Sequence, residues 1–216
     1  MTTPRLRYQT VEFGEIDIHL CTLRDNQEFH DPEGVAEALG ISSASWPIFG
    51  VLWPSSLVLA HHILSTAIGS KRVLEVGCGM ALTSLLLNKQ DADITATDHH
   101  PQAHAFLKRN AALNNDSPIA FEMADWASSD DSLGLFDLII GSDLLYEDEH
   151  IGLLSRFIEA HAKPKCDVII VDPGRGRKNK LITLMTAFGF TCTQTRPDNT
   201  DYLENPFKGM ILEFRR

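Results

Sequence analysis

Val73-Leu-Glu-Val-Gly-Cys-Gly79 is an apolar run that stops in Glu-x-Gly-x-Gly, and Asp98 follows Glu75 by 23 residues. Such a run reads as a buried strand ending in a tight glycine turn before a helix. The glycines let the main chain come close to a ligand, because no Cβ stands between them. Asp98 closes a second strand-like segment, Asp93-Ile-Thr-Ala-Thr-Asp98. At a strand end its carboxylate can accept hydrogen bonds from both hydroxyls of a ribose.

These features look like the adenosyl-binding half of a Rossmann-like enzyme, and two ligand classes compete for it. A dinucleotide site requires Gly-x-Gly-x-x-Gly, so that helix and strand pack closely around a pyrophosphate. Leu82 stands at that last position and breaks the pattern. The S-adenosylmethionine pattern is Glu/Asp-x-Gly-x-Gly-x-Gly, and here Ala81 replaces only its final glycine. Glu75 also stands where methyltransferases often carry their acidic residue. Glu75, Gly77, Cys78, Gly79 and Asp98 therefore predict a site that binds S-adenosyl-L-methionine and releases S-adenosyl-L-homocysteine.

A chain of 216 residues that is 44% hydrophobic suits one domain with a sizeable core. No apolar run reaches the ~18 residues of a membrane span, and the polar start lacks a signal-peptide core. Cys21, Cys78, Cys166 and Cys192 are scattered without a Cys-x-x-Cys pair. This fits reduced thiols in the cytoplasm better than a disulfide framework or a zinc site. The nine histidines include His61-His62 and His99-His100; adjacent residues on a helix point apart, which argues against a metal centre. A net charge of −10 argues against general nucleic-acid binding. One basic cluster, Arg175, Arg177, Lys178 and Lys180, is either a solvated loop or a docking site for an acidic partner.

Residues 8–23 alternate around Gly14-Glu15 and predict a hairpin. Residues 24–50 read as a loop with a short helix near 33–39, and 54–68 as a helix with Pro54 in its first turn. Predicted strands are 72–76, 93–97, 119–123, 135–141 and 167–171, alternating with helices 80–89, 101–113, 148–162 and 177–188. Two strand-like runs, 190–195 and 208–214, close the chain without a helix between them. Alternation implies a parallel sheet with right-handed crossovers, and the closing pair an antiparallel last strand. The predicted fold is thus an α/β, Rossmann-like, seven-stranded mostly parallel sheet with helices on both faces. Residues 1–50 are expected to be an N-terminal extension of the same domain, and 51–216 the methyltransferase domain.

Glu75, Asp98, Asp125, Asp143 and Asp172 each fall at or just beyond the carboxyl end of one predicted parallel strand. Ligands bind at that edge of open parallel sheets. Five acids along one rim predict an electronegative shelf for a sulfonium, although any one of them can be a turn residue. Asp125-Trp126 falls at the level of the adenine, with Asp125 to accept its exocyclic amine and Trp126 as an apolar wall or a cap on the core. The fourth strand ends Gly141-Ser-Asp143-Leu-Leu-Tyr146, bordering the transferred methyl group. Ser142 and Gly141 either admit the methionine portion closely or form a plain turn. Asp143 and Tyr146, three apart, face one pocket if the turn is helical.

The chain resembles the seven-β-strand protein lysine methyltransferases of methyltransferase family 16 and bacterial predicted nicotinamide N-methylases. The matching elements are Trp53-Pro54, Val73–Gly79, Thr97-Asp98, Asn110 to Asn114, Trp126 and Asp143-x-x-Tyr146, over residues 46–215. Asp172-Pro-Gly-Arg175 further resembles the branch that methylates the electron-transfer flavoprotein β-subunit. The resemblance implies an S-adenosylmethionine-dependent N-methyltransferase acting on a protein lysine, with Asp143 holding the amine and Tyr146 orienting it. Trp53 either packs beside the cofactor or anchors the N-terminal segment; Trp46 has a weaker case. The expected partner is a protein, acidic if the basic cluster docks it, and a monomeric enzyme is favoured. One rival is N-methylation of a small nicotinamide-like amine. A non-catalytic adenosyl-binding module and an NAD-dependent oxidoreductase are the others, the last opposed by Leu82.

Overall fold

The computed structural model describes residues 4–28, 31, 34–41, 47–128 and 132–216. Trp46 and most of the 42–47 segment lie outside the described residues. Strands β1 (Leu6–Phe13) and β2 (Ile16–Leu23) form the predicted hairpin, turned by Gly14 at φ 68. A four-residue helix α1 (Val35–Ala38) and a 3-10 turn at Ile48–Gly50 interrupt the loop that follows. Helix α2 (Pro54–Leu64) starts at its proline, which needs no N–H partner in a first turn.

From β3 (Arg72–Val76) onward the alternation holds: α3 (Leu82–Lys89), β4 (Asp93–Asp98), α4 (Ala103–Leu113), β5 (Ala120–Met123), β6 (Phe136–Ser142) and α5 (Asp148–His161). It continues with β7 (Ala162–Asp172), α6 (Lys178–Ala187), β8 (Thr191–Thr195) and β9 (Met210–Arg215). The seven strands lie in the order β5-β4-β3-β6-β7-β9-β8. Only β9 runs against its neighbours, pairing antiparallel with β7 and β8.

Most boundaries fall within two residues of expectation, and three of the departures have a clear local reason. Helix α3 begins at Leu82 rather than residue 80, because Ala81 holds a left-handed φ of 55. Helix α2 stops at Leu64, before Gly69. Strand β7 starts five residues earlier than predicted, since Ala162 pairs with Phe136 before a register shift between Phe136 and Leu138. The polar Lys163-Pro-Lys165 run hides that extension in the sequence.

Side chains alternate across the sheet into two cores. Val73, Ile140, Ile169 and Ile211 face the layer of α2, α3, α4 and the hairpin, whose Phe13, Ile18 and Leu20 join the same core. Leu74, Val76, Ile139, Ile170 and Leu212 face α5 and α6. The hairpin is tied to α4 by two asparagines one turn apart. Asn110 Oδ1 accepts the Cys21 N–H at 2.8 Å, and Asn114 both accepts from His19 N–H and donates to His19 C=O at 2.8 Å. Their amides thus satisfy main-chain groups on β2 that lack a strand partner. Among the described residues no helix is long and apolar enough to cross a membrane.

Strand β3 lies between β4 and β6, so successive crossovers leave it in opposite directions. A crevice opens at the carboxyl ends of strands where that reversal occurs.

Candidate active site

A cavity of about 300 Å³ fills this crevice. Its walls come from the ends of β3, β4 and β6, from the segment before α2, and from α5 and the loop after β7. Trp53, Gly77, Cys78, Gly79, Asp98, Asp125, Trp126, Ser142, Asp143 and Tyr146 all line it. Glu75, Gly141 and Asp172, also expected at this rim, do not line it.

Glu75 lies instead behind the wall. It is 2% exposed, and its Oε2 accepts both the main-chain N–H of Ser84, at 2.9 Å, and the Ser84 hydroxyl. Burial pushes its carboxyl up to about 7. The expected cofactor ligand is thus a brace that ties the end of β3 to the first turn of α3.

The glycine turn carries three left-handed residues in alternation: Gly77 at φ 60, Gly79 at φ 53 and Ala81 at φ 55. A Cβ on Gly77 would stand 2.5 Å from Leu144 Cδ2, and one on Gly141 would stand 2.6 Å from Leu144 Cδ1. A Cβ on Gly79 would lie 3.1 Å from the Phe49 carbonyl oxygen. These glycines therefore seat protein side chain and backbone as well as leaving the cavity open. The Cys78 thiol is held well above its usual range by burial and stays protonated.

Asp98 sits at the end of β4 with each oxygen used once. Oδ2 accepts the Gly79 N–H and Oδ1 the His100 N–H, both at 2.8 Å. Two-point anchoring fixes the carboxylate, and each oxygen keeps a second lone pair. Burial raises its pKa. His100 in turn stacks on Phe49 with ring centroids 3.8 Å apart, and burial pushes its imidazole down to about 4, so it stays neutral.

Just beyond the neighbouring strand, where the Ala124 N–H donates to the Asp98 carbonyl at 3.1 Å, Asp125 Oδ1 accepts the Ala127 N–H at 2.8 Å in a short turn. His150 stands edge-on to both Trp126 (6.3 Å) and Tyr146 (5.7 Å), which joins the two rings into one wall. Burial pushes the Tyr146 phenol up to about 12. Asp143 adopts φ 57 and accepts two bonds from Arg175, at 2.5 Å on Oδ1 and 3.0 Å on Oδ2. Trp53 Nε1 donates to the Ile48 carbonyl at 2.9 Å and fixes the indole at the mouth.

The expected shelf of five acids is not what forms. Glu75 is buried behind the wall, and Asp172 is 1% exposed with Oδ2 accepting the Gly174 N–H at 3.1 Å. Asp143 is neutralised by Arg175. Asp98 and Asp125 remain as the unpaired carboxylates of the cavity. The basic cluster is also committed internally: Arg177 pairs with Asp148 at 3.0 Å, Lys180 Nζ donates to the Asp148 carbonyl at 2.8 Å, and Lys178 Nζ donates to Gln194 at 2.9 Å. Phe49, His150 and the inward role of Arg175 were missed in the sequence. His150 alone left a signal, four residues after Tyr146 on a helix start.

A mostly apolar crevice with one anchored carboxylate at its glycine turn and the Trp126 ring beside Gly77 fits an adenosyl group. The profile of a lysine methyltransferase family, methyltransferase family 16, matches residues 42–186. The chain belongs to this family. Its members are S-adenosylmethionine-dependent methyltransferases, and the cofactor of this family 16 protein is S-adenosyl-L-methionine. Among curated proteins it is 34% identical over 117 residues to the histone-arginine methyltransferase METTL23 of Xenopus laevis, covering 50% of each chain. It is 28% identical over 131 residues to the protein N-lysine methyltransferase METTL21A of Xenopus tropicalis, covering 57% of this chain and 60% of that one. The family 16 chain thus spans only 50% to 60% of the length of these two relatives. Among solved structures, magnesium protoporphyrin IX methyltransferase from Synechocystis, with bound SAM, shares the fold at TM-score 0.56 and 18% identity, over 74% of this chain and 77% of that one.

Proposed function

We propose that this protein transfers the methyl group of S-adenosyl-L-methionine to a lysine side chain of a protein. The observation that carries the reading is that Asp143 and Tyr146 line the same cavity as Asp98. In this reading Asp98 holds the ribose hydroxyls through its two spare lone pairs. Asp125 and Trp126 hold the adenine, and the turn at Gly77, Cys78 and Gly79, with Ser142, borders the methionine portion. Trp53 closes the mouth.

When bound, the cofactor supplies an electrophilic methyl group on a sulfonium. The residues of the chain then have to align a nitrogen lone pair with it. A lysine amine of ordinary pKa, near 10.4, lies about 3.4 units above neutrality, so its deprotonation costs about 4.6 kcal/mol at pH 7. Asp143 orients the amine by accepting its N–H groups and receives or relays the proton. Tyr146, a phenol at all working pH values, orients and walls the nitrogen without acting as a base.

A second reading, an arginine acceptor, is favoured by one contact: the Asp143 carboxylate already accepts a guanidinium in the forked geometry of Arg175. A small nicotinamide-like amine remains the rival outside proteins. Incubation with labelled methyl donor and a cell lysate separates these. Label in the protease-sensitive fraction, recovered on lysine, supports the first reading. Label on arginine supports the second, and label confined to small molecules overturns both. The Asp143→Ala variant should lose the transfer and keep cofactor affinity within about three-fold, a change under 1 kcal/mol.

A further inference from the structure

Arg175 takes up both oxygens of Asp143 through Nε and Nη2. The Asp143 side chain is 10% exposed and that of Arg175 is 37% exposed, so the guanidinium covers the carboxylate from the solvent side. Both residues line the cavity. Arg175 is carried between two left-handed glycines, Gly174 at φ 100 and Gly176 at φ 81. Around Gly176 nothing stands within 4 Å of a Cβ position, and at Gly174 the nearest atom is the Lys208 carbonyl oxygen, at 3.9 Å. The Arg175 main chain is nonetheless held, its carbonyl accepting from Arg177 Nη1 at 3.4 Å, so only the side chain has to swing away from Asp143.

We propose that Arg175 is a displaceable internal occupant of the acceptor seat. It closes Asp143 in the resting enzyme and leaves when a cationic side chain of a protein substrate enters. An acidic residue flanking that side chain receives the released guanidinium. The inference rests on Asp143 being the acceptor-side carboxylate, as proposed above.

Two observations support an exchange over a shared seat. Two cations within one short contact of the same carboxylate repel each other, and the repulsion is strong where water is largely excluded. The neighbouring carboxylates are also poor alternative partners for the arginine. Asp148 is engaged by Arg177 and, through its carbonyl, by Lys180, and Glu147 faces His150 at 3.4 Å. Asp172 keeps Oδ1 without a hydrogen-bond partner, but the residue is 1% exposed, so reaching it requires burying the guanidinium. A carboxylate supplied by the substrate meets that need, and it makes Arg175 a specificity-determining residue for lysines with acidic neighbours.

The test is calorimetric, with S-adenosyl-L-homocysteine bound throughout, using acetyl-Asp-Lys-Asp-amide, acetyl-Gly-Lys-Gly-amide and their arginine counterparts. Wild type should bind the acidic peptide about ten-fold tighter than the glycine one, the equivalent of one good charge-assisted contact. Arg175→Gln should bind the glycine peptide about ten-fold tighter than wild type does, and should lose the distinction between the two. Arg175→Lys keeps the charge without the fork and should fall between. Unchanged affinity for S-adenosyl-L-homocysteine certifies that each variant is folded. A wild type that ignores the acidic flank, or an Arg175→Gln that binds the glycine peptide no better, overturns the proposal while leaving the acceptor reading intact. If Asp143→Asn binds every peptide as wild type does, or if no variant binds any peptide, the acceptor reading fails and the exchange fails with it. Preference for the arginine peptides with the same Arg175 dependence keeps the exchange and moves the acceptor to arginine.

Discussion

Glu75 and Ser84 form a closed contact beneath the cavity floor: one carboxylate oxygen accepts both the main-chain N–H and the hydroxyl of the serine. The contact positions the turn and does not reach the crevice.

Its burial sets a pH dependence. The Glu75 carboxyl rises from 4.5 in the unfolded chain to about 7 in the folded one. A raised pKa means that the folded state binds the proton more tightly. The associated stability is therefore present below pH 4.5 and is lost as pH rises through 7. The shift corresponds to roughly 3 kcal/mol. Glu75→Gln keeps an acceptor for Ser84 and removes the titration. Without cofactor, the variant should match wild type near pH 4 and be more stable at pH 8 by up to roughly 3 kcal/mol, as read from denaturant midpoints. Equal stabilities at both pH values would show that Glu75 is ionised at no cost.

Asp98→Asn should weaken cofactor binding without unfolding the protein. Both oxygens of Asp98 face N–H donors, of Gly79 and His100, so an amide must turn its own N–H₂ toward one of them. Loss of that anchor, and of the charge that the proposed function sets against the ribose, should raise the Kd for S-adenosyl-L-homocysteine about 100-fold by titration calorimetry, or about 2.7 kcal/mol.

Gly77→Ala combines two penalties. A non-glycine residue at φ 60 costs about 1–2 kcal/mol, and its Cβ would press on Leu144. Thermal melting should show a loss of about 2–3 kcal/mol. Cofactor affinity should fall with it, because Leu144 itself lines the cavity.

Asn110→Ala leaves the Cys21 N–H buried without its 2.8 Å partner. The expected loss is about 1–3 kcal/mol. Hydrogen exchange should speed up in β1 and β2 and leave β3 and β6 protected.

Tyr146→Phe and Tyr146→Ala separate two functions of one ring. The phenol has its pKa raised to about 12 by burial, so no Tyr146 titration should appear in the rate profile between pH 6 and 10. Removing the hydroxyl should slow transfer about ten-fold, the value of one neutral hydrogen bond, whereas removing the ring should slow it far more.

The sheet was legible because its signals are local. Apolar runs such as Leu138-Ile-Ile140 and the turn at Gly77–Gly79 mark strand ends by composition alone, and the strand-end residues of an open sheet converge by topology. The acidic rim was misjudged because charge in a sequence says nothing of pairing. Arg175 lies 32 positions from Asp143, and only the β7 loop brings them together. Phe49 carried no signal for a related reason: its partner is His100, across the glycine turn. The Asn110–Asn114 spacing was visible as a motif, while its purpose, capping strand β2, depends on a hairpin about 90 residues away in the chain, where loop-closure distance defeats local reading.

One packed seam links distant regions of the chain. A Cβ on Gly50 would lie 2.2 Å from Leu23 Cδ1, at the end of β2, and Gly50 adjoins Phe49, which leans on His100 beside Asp98. The end of the hairpin and the Ile48–Gly50 turn thereby act as a buttress whose thrust ends at Asp98. Under the proposed ribose role of Asp98, a graft that swaps this hairpin for a relative's should change the affinity for S-adenosyl-L-homocysteine.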